Sequence, residues 1–297
     1  MSISTRSDKT GVFVMRTLTL GVMLICVSAQ AAKTTPEDFG IELQNKVTAE
    51  VLVSVLSLPD DRLEYTYTVK SSTLSQQDVL RFNVQVKVPV AKTDMTPASG
   101  WFVGSAGIER KLDEGSVKTV VLWNGEDISM LIKPGRSLAG FKLMVKSLPG
   151  IQDFHMQGYT DKDMAEASGV SEEEMDVLGD LQDEFKNNSF KGKTIGPDPV
   201  PEVINLAGLV ERLIVLKHQA ASLGWIFGPG ADGIVKSLDA KLDAAKASVA
   251  RGQNKTAAGQ MNAFINELQA QRSKHLDDNA FFLLKVNAEF IIGKLGS

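Results

Sequence analysis

Cysteine is almost absent from this chain: Cys26 is the only one in 297 residues. It lies in a segment expected to be removed on export. The mature chain then has no disulfide and no thiol chemistry, and its folding rests on apolar cores alone. Aromatic residues are scarce, at 6%. No run of eighteen apolar residues exists to span a bilayer as a mature helix. The Gly-x-Ser-x-Gly elbow of a serine hydrolase is missing. A basic domain is missing too: residues 32–160 hold 14 basic and 15 acidic groups, and residues 199–297 hold 11 and 9. Without a basic stripe to neutralise phosphates, nucleic acid is not an expected partner. Of the three histidines, His155, His218 and His275, none has a second histidine one helical turn on, and no cysteine can assist. No metal site and no cofactor is therefore expected.

What the chain does have begins with an export pattern. Arg6, Lys9 and Arg16 precede the largely apolar run from Leu18 to Val27, and Ala29 and Ala31 stand three and one residues before a cut after Ala31. Those are the three parts of a signal peptide, so residues 1–31 are expected to be cleaved and the product to be periplasmic or extracellular. Met15 would serve equally as the start. Ile25 before Cys26 is too large for a lipid-attachment site.

From about Val47 to Gly158 the apolar period is two. Leu63, Tyr65, Tyr67 and Val69 alternate with Glu64, Thr66, Thr68 and Lys70; Phe82, Val84, Val86 and Val88 repeat the pattern. This predicts half-buried antiparallel strands, including Glu50–Leu58, Val117–Trp123, Asp127–Ile132, Phe141–Lys146 and Asp153–Gln157. Pro59-Asp60-Asp61, Asn124-Gly125 and Leu148-Pro149-Gly150 read as turns between them. Residues 32–160 are accordingly expected to form an immunoglobulin-like antiparallel β-sandwich.

Residues 161–198 change character, with 4 basic against 11 acidic groups. Residues 161–200 read as an acidic, partly helical tether followed by a Pro/Gly linker from Lys191 to Pro201. Asp161, Asp163 and Glu172 match parts of a calcium loop, but Glu166 stands where its glycine belongs. Beyond, residues 201–297 turn to a 3.6 period and predict four helices: about Pro201–Ser222, one capped by Asp232 and stopped by Gly252, about Asn254–Ser273, and one opened by Asp277 or Asp278. Short connections make these antiparallel neighbours, an all-α bundle after an all-β domain.

Leu238, Lys241 and Leu242, then Arg251-Gly252, then Asn262-Ala263-Phe264-Ile265-Asn266 resemble the FIMAH domain over about residues 203–295. The resemblance implies a module at the C-terminus of a secreted bacterial protein, often beside adhesive or carbohydrate-active modules, with no catalytic residues. Phe281, Phe282 and Phe290 make its last helix more aromatic than that family's. Upstream, Gly100-Trp101, Ile132-Lys133-Pro134-Gly135 with Ser137 to Phe141, and Pro149-Gly150 are similar to a β domain of secreted bacterial proteins with no assigned role.

The expected function is an exported, non-catalytic protein that binds or attaches at the cell envelope, with an extracellular glycan or envelope protein as partner. Trp225, in an apolar loop after the first helix, could stack on a sugar or plug the core. Asn262, Asn266 and Gln269 share the polar side of the third helix and are the other candidate contacts. Two alternatives stand beside this reading. One is a secreted glycan hydrolase whose carboxylates meet only in the fold. The other is a structural or oligomerising envelope component, which would expose large apolar patches.

Overall fold

A computed structural model describes residue 35 and residues 44–104, 110–111, 117–160, 174–177, 180, 187–203 and 205–296. The signal peptide, the partial calcium loop and most of the acidic segment lie outside the described residues.

Two antiparallel sheets form the first domain. One has the strand order β1-β2-β8-β4, from Ala49–Ser57, Leu63–Ser71, Ser137–Val145 and Met95–Thr96. The other runs β10-β9-β3-β7-β5, from Phe190–Asp198, Leu148–Gly158, Val79–Val86, Val117–Gly125 and Trp101–Val103, with β6 (Arg110–Lys111) on β7. The alternation in β2 buries Leu63, Tyr65, Tyr67 and Val69, and the Tyr67 ring meets Phe82 and Trp123 of the facing sheet. Phe82 stacks on Trp123 at 5.4 Å, and Phe141 meets Trp101 edge-on at 5.0 Å. Both buried indoles still donate a hydrogen bond, Trp101 to Met130 O and Trp123 to Thr96 O, so neither N–H is stranded in the core.

Four sequence expectations are corrected. Asn124-Gly125 is not a hairpin turn: β7 runs through it, Asn124 pairing with both Arg81 and Phe102. A Cβ on Gly125 would clash with the end of the Leu131 side chain, which would have to move aside. Asp127–Ile132 is not a strand. Asp127 accepts the Ser129 N–H and caps a short 3-10 turn, a local bond that competes with strand pairing. Leu148-Pro149-Gly150 begins β9, with Pro149 opposite Pro197. The largest correction concerns the linker. Residues 190–198 are strand β10, paired along β9 from Phe190↔Met156 to Asp198↔Leu148. Its glycines serve close packing, not flexibility: a Cβ on Gly192 would lie 2.5 Å from the Phe154 ring, and one on Gly196 3.1 Å from Gln152 and 3.2 Å from the Tyr67 hydroxyl.

Four helices follow: α1 (Leu206–Ser222), α2 (Ala231–Ala250), α3 (Asn254–Gln271) and α4 (Asp278–Leu295). Helix α1 starts later than its apolar pattern suggests, because Asn205 caps it by accepting the Gly208 N–H; Val203 lies outside, 82% exposed. Gly230, at φ +90°, starts α2 in place of Asp232, which lies in the first turn. Gly252, at φ +70°, stops it as expected. Helices α2 and α3, α3 and α4, α4 and α1, and α1 and α2 pack in turn around one core. The extra aromatics of α4 have a partner: Arg272 places its guanidinium 4.4 Å from the Phe281 ring centre and 4.9 Å from that of Phe282.

Candidate functional site at the junction of sandwich and bundle

Helix α4 is apolar on nearly every side because it has two neighbours, the bundle and the edge of the sandwich. Strand β1 ends its sheet, so its outward N–H and C=O groups need partners. Asn279, 2% exposed, supplies them: the Val53 N–H donates to its Oδ1 at 3.1 Å, and its Nδ2 donates to Val51 O at 3.0 Å. One side-chain amide thus bonds as an adjoining strand would. Two turns along, Asn287 Nδ2 donates to Pro149 O at 2.9 Å. Arg212 of α1 donates to Asn287 Oδ1 at 2.6 Å and to Asp198 Oδ2 at 2.8 Å, linking both helices to β10.

Asp277 caps α4 beneath this contact, accepting the Ala280 N–H at 2.7 Å. Burial pushes its carboxyl up to about 6; the Ala280 N–H works against this, and the negative charge of Glu50 on β1 adds to it. The folded chain therefore binds a proton here that the unfolded chain, with a carboxyl near 3.8, does not hold between those two values. The group's contribution to stability is full below about pH 4 and is lost as pH rises through about 6. Asp277→Asn keeps an acceptor for the cap and removes the buried charge. It is expected to raise Tm at pH 7.5 and leave it nearly unchanged at pH 4, in thermal melts at the two values; a lower Tm at pH 7.5 would show that the charge supports the cap.

Beside the contact lies an open groove of about 550 Å³. The β1–β2 hairpin contributes Ser57, Leu58, Asp61 and Arg62; the β8–β9 turn contributes Lys146 and Ser147; α4 contributes Val286, Glu289, Phe290 and Lys294. Phe290 is half-buried, with the Lys294 ammonium 5.3 Å from its ring centre. Asp61, at φ +63°, sits at the tip of the hairpin, and Asp60 holds Arg62 through Nε at 2.7 Å. Glu289 accepts from Lys285 at 2.5 Å, and Asp61 stands 4.0 Å from Lys146. A mostly pre-formed concave site with an apolar floor and a few charged groups, between two domains, is where small ligands commonly bind.

The residues singled out in the sequence fall elsewhere. Trp225 is only 8% exposed and cannot offer its face to a ligand. Its loop is folded against the α3–α4 connection: Ile226 bridges Leu276, and the Phe227 N–H donates to His275 O at 2.8 Å. Asn262, Asn266 and Gln269 are exposed together on α3, while Met261, Phe264, Ile265 and Leu268 are buried. They are not brought near the groove residues by any described contact. His218 and the fully buried Lys217 both meet Asp239 Oδ1, at 3.2 and 2.5 Å, tying α1 to α2. Burial lowers the Lys217 ammonium's pKa, and Asp239 opposes that shift. Among the described residues, no group of three His, Cys, Asp or Glu side chains could hold a metal ion.

The fold and this junction define the class: an antiparallel β-sandwich carrying a C-terminal antiparallel helical bundle. Residues 230–293, from the start of α2 through most of α4, match the FIMAH domain family, so the chain carries a FIMAH domain at its C-terminal end. No curated protein matches the chain. Among solved structures, it is similar to an uncharacterized protein from Nocardia farcinica reported to have an immunoglobulin-like fold. That likeness has 16% identity and a TM-score of 0.23, and it covers 41% of this chain and 81% of the other.

Proposed function

We propose that this is an exported, non-catalytic binding protein of the cell envelope, directed at carbohydrate, with the junction groove as its site. The observation that carries this reading is the groove itself: a half-buried aromatic ring, Phe290, on an apolar floor, under a rim of charged and hydroxyl side chains. A flat ring with polar groups around it suits a saccharide, whose ring faces are apolar and whose edge is hydroxylated. Export is supported by the amino-terminal pattern of basic, apolar and small residues.

A glycan array with the chain lacking residues 1–31 tests the reading. Phe290→Ala is expected to lose the signal, while Asn262→Ala, on the α3 face, retains it. Loss of binding with Asn262→Ala and not with Phe290→Ala would move the site to the α3 face. Absence of any saccharide signal would remove carbohydrate as the ligand class. Detection of the mature chain in the cytoplasm alone after fractionation would remove export.

One observation favours the hydrolase alternative: Asp61 and Glu289 are carboxylates from two domains lining one groove. Each already faces a lysine, however, at 4.0 and 2.5 Å. Turnover of a bound glycan that disappears in both Asp61→Asn and Glu289→Gln would establish an enzyme.

A further inference from the structure

The charges around the groove narrow the ligand class. Its cations, Arg62, Lys146 and Lys294, come from three separate elements, the β1–β2 hairpin, the β8–β9 turn and α4, and line one groove in the folded chain. Its two anions are less able to oppose a ligand's charge. Glu289 is engaged by Lys285 at 2.5 Å, and Asp61 is 91% exposed at the hairpin tip, where solvent screens it. Arg62 spends only its Nε and backbone N–H on Asp60, so among the described hydrogen bonds its two terminal nitrogens remain uncommitted. Those nitrogens form the half of a guanidinium fork that suits a carboxylate.

Resting on the reading of the groove as a saccharide site, we propose that its ligand is an acidic glycan, one built from uronic acid residues. Lys294 holds its ammonium over the Phe290 ring, 5.3 Å from the ring centre, so a pyranose packed against the rest of that ring brings its carboxylate within reach of this ammonium. Arg62 and Lys146, from the β1–β2 hairpin and the β8–β9 turn, receive the carboxylate of a neighbouring residue in the chain. The apolar floor takes the sugar faces, and the cations distinguish an acidic chain from a neutral one by charge.

Titration calorimetry of the mature chain with oligogalacturonate, and with the same oligosaccharide fully methyl-esterified, tests this. Oligogalacturonate is expected to bind, the ester to bind roughly tenfold or more weakly, and Arg62→Ala and Lys294→Ala each to lower affinity for the acid roughly tenfold. Raising the salt concentration should weaken the acid and not the ester. Equal affinity for acid and ester would overturn the acidic ligand while leaving the groove a saccharide site. So would equal binding of phosphate esters of neutral sugars, which would assign the cations to phosphate. Unchanged affinity in both variants, with unfolding curves like the parent's, would place acid binding elsewhere and overturn the proposal. If neither these probes nor any array glycan binds, the saccharide reading of the groove fails as well.

Discussion

Asn279→Leu lowers stability by about 2–4 kcal/mol, one of the two largest effects expected in this chain. Leucine keeps the branching and heavy-atom count of asparagine but is bulkier, so the loss of both hydrogen bonds is joined by some overpacking. It leaves the Val53 N–H and Val51 C=O, at the covered edge of β1, without the partners they have at 3.1 and 3.0 Å. Asn279 is 2% exposed, so water does not readily replace it. Each stranded backbone group forfeits its desolvation cost, and the two costs fall on one side chain. For a chain of this size the loss corresponds to a fall in Tm of roughly 5–12 °C. Asn279→Asp should be at least as damaging, because a carboxylate then faces the Val51 carbonyl. A Tm for Asn279→Leu within about a degree of the parent would mean that β1 relaxes to satisfy its own edge.

Strand β2 and helix α3 were legible in the sequence because each announces its buried face through period alone. Leu63, Tyr65, Tyr67 and Val69 need only a sheet to lie in, and Met261, Phe264, Ile265 and Leu268 only a bundle. Strand β10 was not legible. Gly192 and Gly196 look like breakers until Phe154 and Tyr67, far away in sequence, are seen to occupy the space a Cβ would need. The acidic run before it deepened the impression of a linker. Helix α4 gave a partial signal. Phe281, Leu284, Ala288 and Ile291 mark one face, and Leu283 and Val286 a second, which already says that the helix is covered on two sides. The identity of the second cover was not recoverable, because Asn279 and Asn287 recognise backbone atoms, and backbone leaves no trace in residue pattern. The groove was hidden for the same reason: Arg62, Lys146 and Phe290 are unremarkable singly and share a site only after the bundle docks. Trp225 has two readings in the sequence, a platform for a sugar or a plug in the core, and its burial decides for the plug. The Ile226–Leu276 bridge and the Phe227–His275 bond are what hold that loop closed, and neither can be read from the loop's own residues.

A chain ending at Asp198, which keeps every described strand and removes α1 to α4, is expected to associate through β1. Of the other three sheet edges, β4 and β5 are two and three residues long, too short to template a partner strand, and β10, nine residues long, carries Lys191, Lys193 and Pro197, which blunt it as a template. Strand β1 is nine residues long, pairs β2 without a register shift and buries Val51, Val53 and Val55 on one face, so it offers a long, regular edge for pairing. In the full chain α4 lies along this edge and Asn279 takes its hydrogen bonds. Removal of the bundle also strands Asp198, which loses Arg212 and keeps only Lys87 at 3.2 Å and its bond from Gln152. Light scattering after size exclusion should show the truncated sandwich moving from monomer to dimer and larger species with concentration, while the full chain does not move. Val53→Pro in the truncated chain removes the donor that a second copy would need, and should suppress the association even where it costs stability. A truncated sandwich that stays monomeric at all concentrations would show that the helical bundle is an appendage. Association that Val53→Pro relieves would show the opposite: in this protein the FIMAH domain completes a sheet edge of its neighbour, and the groove at their junction exists only because it does.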